Sequence, residues 1–150
     1  MGRLIVVKNK NISFSIAAPS DVYDLWAWRN DELSRQMSGN SNKISFTEHK
    51  QWLQTTDEEI FIAYYAFDKI GCVRIKNSDE LSWVIAPKKR QQGYGSSMLY
   101  NFCNVFLPEE RFVAKIKHEN MASIKIALRA GFVSTGSDSV FQHFTKYPTK

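Results

Sequence analysis

The sequence predicts a mixed α/β domain whose elements run β-α-α-β-β-β-α-β-α-β-β. Three stretches carry that prediction. Residues Glu59 to Ala86 are rich in aromatic and β-branched residues and are cut twice by turn-forming clusters, the pattern of a three-stranded meander. Glu80 to Ser96, ELSWVIAPKKRQQGYGS, reads as one strand, one basic turn and the start of one helix. Phe112 to His118 places Phe112, Ala114, Ile116 and His118 on one side of a strand, and a helical stretch from Asn120 to Ala130 follows, closed by Gly131.

Taken in order, Ile12 to Ile16 is the first strand, with Leu4 to Val7 as a pairing partner across Lys8-Asn9-Lys10-Asn11. Pro19-Ser20-Asp21 starts a helix, with Ser20 as N-cap, and places Val22, Leu25, Trp26 and Arg29 on one face. Arg29 then lies in line with an apolar stripe. It either snorkels at the helix end or points into a cleft as an anion ligand. Asp31 to Lys43 is polar, contains Gly39, and reads as a loop over a substrate cleft. Ser45-Phe46-Thr47-Glu48 matches a capping box, so a second helix begins there with His49, Trp52 and Leu53 on one face. A histidine in that setting is either structural or catalytic.

Glu59 to Phe67 is a strand, Asp68-Lys69 with Gly71 a hairpin turn, and Ile70 to Lys76 the returning strand. Asn77-Ser78-Asp79 turns into Glu80 to Ala86, which ends at Pro87 because proline has no N–H for the ladder. Gly93-Tyr94-Gly95 opens a helix that carries Met98, Leu99, Phe102 and Phe106 on one face until Pro108. Phe132 to Thr135 and Val140 to Thr145 close the sheet.

The chain of 150 residues suits one domain, residues 1–150, with a real core. Its 10 Phe, 6 Tyr and 4 Trp argue against disorder. No apolar run reaches membrane-spanning length, and the first residues, MGRLIVVKNK, hold too short an apolar segment for a signal peptide. Gly2 lacks the Ser or Thr expected downstream for myristoylation. Cys72 and Cys103 suggest neither a disulfide framework nor a metal site. The expectation is a reducing, cytoplasmic location, no membrane and no metal. A net charge of +5 suits a polyanionic ligand, and its spread along the chain argues against nucleic acid.

A glycine-rich turn at a helix start exposes backbone N–H groups, and the helix dipole and Arg90 add positive charge. That suits a phosphate or pyrophosphate, although a plain strand-to-helix turn looks the same. It is no Walker loop, since no GK[ST] follows, and no dinucleotide loop, since Met98 stands where a third glycine belongs.

Arg90-Gln91-Gln92-Gly93-Tyr94-Gly95 resembles the R/Q-x-x-G-x-G/A signature of the GNAT acyl-CoA N-acyltransferases, and the Glu80 to Pro87 strand resembles the one that family places before it. Asn120-Met121-Ala122-Ser123-Ile124, followed by Ala130-Gly131-Phe132, resembles its second signature. The resemblance implies a mixed sheet splayed between strands 4 and 5, flanked by about four helices, with acetyl-CoA as co-substrate. It implies that Val84, Ile85 and Ala86 offer backbone groups to the pantetheine arm, and that Arg90, Gln91, Gln92, Gly93, Tyr94, Gly95 and Ser96 wrap the pyrophosphate. Asn120 matches an asparagine that contacts pantetheine, with Ser123 one turn on. As a helix N-cap, Asn120 can serve both roles.

Transfer to an amine needs a base, an oxyanion donor and stabilisation of the departing thiolate. Glu80 matches a base position in the family, with His49 as the alternative; a backbone N–H of Val84 to Ala86 is the natural oxyanion donor. The tyrosine that many members carry seven residues after the asparagine is Ala127 here. The acid is then Ser123, Tyr94, Tyr64, Tyr65 or water. Cys103, in an apolar helix pattern, reads as core.

For the acceptor, Trp28-Arg29-Asn30-Asp31, Ile44 and Glu48-His49-Lys50-Gln51-Trp52-Leu53 resemble a GNAT branch acting on nucleotide-linked amino sugars of the pseudaminic-acid type. A neighbouring branch acts on protein N-termini, ribosomal proteins included. Trp28, Arg29, His49 and Trp52 are the candidate acceptor contacts, with Lys43 as a further cation. Three readings stand: an amino-sugar N-acetyltransferase, a peptide N-terminal acetyltransferase, and a non-catalytic module binding acyl-CoA or nucleic acid. The last strand, at a sheet edge, leaves a homodimer open.

Overall fold

In a computed structural model, residues 11–149 are described. The predicted strand at Leu4 to Val7 lies outside them. Seven strands form one sheet in the order β1-β2-β3-β4-β5-β7-β6. They are β1 (Ile12–Ile16), β2 (Glu59–Tyr65), β3 (Asp68–Lys76), β4 (Glu80–Ile85), β5 (Phe112–Lys117), β6 (Val133–Ser137) and β7 (Phe141–Lys146). The helices are α1 (Val22–Asn30), α2 (Glu32–Met37), α3 (Phe46–Thr55), α4 (Tyr94–Asn101) and α5 (Met121–Ala130).

All neighbours pair antiparallel except β4 and β5. That parallel pair is joined only at its start: Glu80 opposes Val113, and the Val113 N–H donates to Asp79 O at 2.9 Å. Beyond this vertex the strands part. Leu81 to Ile85 and Ala114 to Lys117 face a wedge, the splay expected between strands 4 and 5.

The main core lies on the α4/α5 side, where Met98, Leu99, Phe102, Phe112 and Phe144 are almost wholly buried and Leu81, Trp83 and Ile85 point inward. Truncating a ring such as Phe102 to alanine costs about 3–5 kcal/mol. A smaller core on the opposite face joins Leu25, Trp28, Ile60, Ile62, Cys72 and Ala86 beneath α1 and α3. Lys69 clamps the start of α1 to β3, 2.7 Å from Asp21 and 2.9 Å from Asp24.

Local chemistry explains most elements and corrects several expectations. Ser45 and Glu48 form the capping box of α3. Gly93 (φ 82°) and Gly131 (φ 105°) hold the left-handed conformation that starts α4 and ends α5, a region where a Cβ is costly. Ser20 is not the N-cap of α1. Pro19–Asp21 forms a 3-10 turn, and the buried Asp21 carboxylate accepts from the Ala18 N–H at 2.8 Å. The face of α1 that turns inward carries Leu25 and Trp28, while Trp26 donates its Nε1–H to Ile44 O.

The predicted loop from Asp31 to Lys43 contains α2, because Asp31 caps it by accepting from Ser34 N–H. Among the described residues this makes five α-helices, α2 being the short one that the expectation of about four did not include. The hairpin turn between β2 and β3 is Ala66-Phe67, not Asp68-Lys69. Tyr65 pairs with Asp68, and Ala66 takes φ 58°. Gly71 serves another purpose: a Cβ there would run into Val84 O, so its absence lets β3 approach β4. The fourth helix does not continue regularly to Phe106. From Phe102 to Phe106 it widens into a π turn closed by Leu107 N–H to Phe102 O, and both rings then pack against Phe14 and Phe61.

Candidate active site

Two features meet at the wedge. Along β4, Leu81 to Ile85 leave the β5-facing edge outside any ladder, over about 16 Å at ordinary strand rise. Beyond its end, Pro87–Lys89 turns and α4 begins at Gly93 with no side chain capping its amides. A free strand edge leading to an uncapped helix start fits an extended amide-bearing arm that ends in a pyrophosphate. Val84, Ile85, Ala86 and Gly93 lie along that path. Gln91, at φ 61°, and the exposed Gln92, whose Nε2 donates to Lys88 O, complete the turn. Asn120 caps α5 beyond the end of β5, its Oδ1 accepting from Ser123 N–H at 3.2 Å and its amide nitrogen remaining as a donor.

Three residues of the signature do other work. The Arg90 guanidinium does not project toward the α4 amides as an unpaired cation. It lies 2.8 Å from Asp31 and donates to Ser34 Oγ at 3.1 Å. Burial works to raise the Asp31 pKa, but the Arg90 hydrogen bond and the Ser34 and Leu33 amides outweigh it and hold the carboxyl below the usual range. A Cβ on Gly95 would sit 2.5 Å from Ile126 Cδ1, so this glycine lets α4 pack on α5. Ser96 is buried and accepts from Arg129 at 3.3 Å, a contact that the sequence signature does not reveal.

Glu80 stands at the vertex, with its carboxylate 3.8 Å from Lys115 Nζ. It lines an open groove of about 490 Å³ with Arg111, Val113, Lys115, Thr135, His143 and Thr145. Ala127 is fully buried in the main core, so the place of the usual tyrosine is filled by packing. Tyr94 stacks against Tyr65, 5.6 Å between ring centres, and Tyr64 joins the smaller core. Both β2 tyrosines lie at the Asp68 end of the sheet, about 20 Å from Glu80 by strand rise. Cys103 is buried, and burial pushes its thiol up to about 12, which excludes a thiolate nucleophile at neutral pH.

A second pocket, separate from the groove, gathers Trp28, Arg29, His49 and Trp52 with Leu25, Leu53, Ile60, Cys72, Arg74 and Val84. The spacing of the tryptophan-arginine-asparagine segment and Ile44 explains how it forms. Asn30 donates to Ile44 O and accepts from Ile44 N–H, both at 2.8 Å, which fixes the entry into α3. His49 is thereby carried inward, 5% exposed, with its ring 5.5 Å from Trp52. Among the described residues its Nε2 has no hydrogen-bond partner. Burial, then the charges of Arg29 and Arg74, lower its pKa to about 4, so the ring is neutral at physiological pH. The pKa of Arg29 is lowered by burial and by the charges of Arg74 and Arg35, and among the described residues its guanidinium donates to Asn42 O alone, at 3.5 Å. Among the described residues no carboxylate lies within ion-pair distance of it. Arg74, absent from the sequence-based candidates, meets Glu58 at 3.8 Å. It stands inside a regular strand, and only the sheet register brings it under α1.

Thus the four acceptor candidates share one pocket, while Glu80 and His49 line different ones. Among the described residues no cluster of three His, Cys, Asp or Glu side chains is arranged to hold a metal ion, and no helix is long and apolar enough to cross a membrane.

A model of the acetyltransferase (GNAT) domain family matches residues 14–133. No curated protein matches the chain. Solved structures similar in fold include AAC(6′)-Ib in complex with ribostamycin and coenzyme A, with 11% identity, a TM-score of 0.78, and coverage of 91% of this chain and 93% of that one. Another is RimL, a ribosomal L7/L12 α-N-protein acetyltransferase with coenzyme A, at 15% identity and a TM-score of 0.73, covering 92% and 94%. A third is the spermidine N-acetyltransferase from Vibrio cholerae with CoA and spermine, at 13% identity and a TM-score of 0.73, covering 89% and 94%. With the family model matched across the wedge, the vertex and the glycine-led helix, the chain belongs to the GNAT acetyltransferases and is an acetyl-CoA-dependent N-acetyltransferase.

Proposed function

We propose that the acceptor is the primary amine of a nucleotide-linked amino sugar. The observation that carries this reading is the pocket of Trp28, Arg29, His49 and Trp52, which has two arginines and no carboxylate in its lining. Polycationic acceptors such as spermine or ribostamycin call for acidic walls. A nucleotide-linked sugar calls for cations at its diphosphate and aromatic faces for its rings.

In this reading acetyl-CoA supplies the thioester acetyl group. The chain's own residues do the rest. Backbone groups of Val84, Ile85 and Ala86 hold the arm along the wedge, with one N–H directed at the thioester oxygen. The amides of the turn from Arg90 to Ser96 bind the pyrophosphate, and Asn120 contributes its side-chain amide. Glu80, at the vertex, takes a proton from the acceptor's ammonium group, directly or through one water, so that the neutral amine attacks the thioester carbon. His49 is the weaker candidate for base, because it lines the pocket beneath α1 and α3, whereas Glu80 stands at the vertex where the wedge opens. With Ala127 in the core, Ser123 or water protonates the leaving thiolate.

One observation favours a second acceptor. The groove beside Glu80 is open and wide enough for a peptide N-terminus. Mass spectrometry of a UDP-linked 4-amino-4,6-dideoxy sugar incubated with protein and acetyl-CoA separates the two. A gain of one acetyl group that requires the protein supports the sugar. Acetylation of peptide N-termini without acetylation of the sugar overturns it.

A further inference from the structure

The smaller pocket holds a charge that the fold leaves unanswered. Arg29 and Arg74 converge on it from α1 and from β3, and among the described residues only Arg74 has an acidic neighbour, Glu58 at 3.8 Å. A guanidinium brought out of water beside another cation is destabilised unless an anion joins it. His49 adds an independent sign. Among the described residues its buried Nε2 lacks a partner, and its ring lines a pocket of about 30 Å³, room for roughly two oxygen-sized groups, so that two oxygens of a phosphoryl group enter while the rest of it stays at the mouth. Buried polar atoms in native proteins are almost always satisfied, so an orphan on a residue that lines a small opening together with two arginines marks a place for ligand oxygens.

We infer that this pocket is a phosphoryl receptor, in which Arg29 and Arg74 pair with the oxygens of an acceptor phosphate and His49, as its Nε2–H tautomer, donates a third hydrogen bond. Trp28 and Trp52 wall the same opening, so whatever is attached to the phosphate leaves along an aromatic face. Planar guanidinium groups bind phosphate oxygens through two parallel N–H donors, which gives direction as well as charge. The inference rests on the nucleotide-linked acceptor proposed above and names the group that anchors it. It also assigns Arg74 a binding role.

The test is calorimetric titration of inorganic pyrophosphate into protein saturated with coenzyme A, so that the α4 amides are occupied. The expected result is one further binding event, weakened at least tenfold in Arg29→Gln and in Arg74→Gln and partly restored in Arg29→Lys. Unchanged coenzyme A affinity in each variant controls for folding. In turnover, Arg29→Gln raises KM for the nucleotide-linked sugar at least tenfold and changes kcat little. Absence of pyrophosphate binding, binding indifferent to Arg29, or sugar acetylation with an unmoved KM overturns the receptor. Arg29-dependent pyrophosphate binding without acetylation of any nucleotide-linked sugar upholds the receptor and removes the acceptor assignment instead.

Discussion

Arg90 and Asp31 are joined by an ion pair of 2.8 Å that ties the turn after β4 to the N-cap of α2. The other end of α2 is held from β5, where Lys117 donates to Gln36 O at 2.9 Å. One anchor thus comes from the turn after β4 and the other from β5, the two strands that part at the wedge, and α2 bridges them. A residue that the family signature assigns to the cofactor loop here positions a helix through its side chain.

Asp31→Ala removes both the cap of α2 and the partner of Arg90. Losing an N-cap costs about 1 kcal/mol, and a half-exposed charge-assisted bond adds about as much. Denaturant unfolding is expected to report a loss of about 1–2 kcal/mol, with the acceptor KM raised more than the dissociation constant of coenzyme A. If Arg90→Gln weakens coenzyme A tenfold while the acceptor KM stays put, the arginine serves the pyrophosphate after all.

Gly93 and Gly95 differ in kind although they share a motif. Gly93→Val places a branched residue at φ 82° on the path to the α4 amides, and coenzyme A binding measured by calorimetry is expected to vanish. Gly95→Ala instead presses on Ile126 Cδ1 and is expected to cost about 1–2 kcal/mol of stability. The double variant Gly95→Ala/Ile126→Val, which deletes the clashing methyl, should recover most of that loss. A double variant no more stable than Gly95→Ala would rule out this contact as the cause.

Glu80→Gln keeps the size of the side chain and removes the base. Turnover is expected to fall about 10²-fold or more with a flattened pH–rate profile, while coenzyme A still binds. Wild-type turnover at every pH would remove Glu80 from the mechanism.

His49 makes stability depend on pH. Its folded pKa, about 4, lies below the unfolded value near 6.5, so the folded state favours the neutral ring. The contribution is fully present above the unfolded value and is lost as pH falls from there toward about 4. Between pH 7 and pH 5 the loss is roughly 2 kcal/mol. Unfolding curves at the two pH values should show that slope in the wild type and a smaller one in His49→Gln; equal slopes would contradict a buried, neutral histidine.

Features governed by neighbours a few residues apart were legible in the chain. The capping box of Ser45 and Glu48, the cap of Asn120 on Ser123, and the left-handed glycines 93 and 131 each depend on chemistry within one helical turn. The meander, the strand ended by Pro87 and the glycine-led helix follow from alternation and turn residues in the same way. So does the α/β order that led to the wedge.

Tertiary structure decided what those residues meet. It turned Gly95 toward Ile126 and Arg90 toward Asp31. It also closed the place of the missing tyrosine by burying Ala127. Arg74 joined Arg29 and His49 only because the register of β2, β3 and β4 aligns with α1 and α3 above them. The sequence by itself determined the elements and the cofactor motif, because propensity, capping and periodicity act over a few residues. The pocket of Trp28, Arg29, His49 and Trp52, the strap of α2 and the separation of Glu80 from His49 arose from packing between distant segments, where the partner of a charge is set by which surfaces the core brings together.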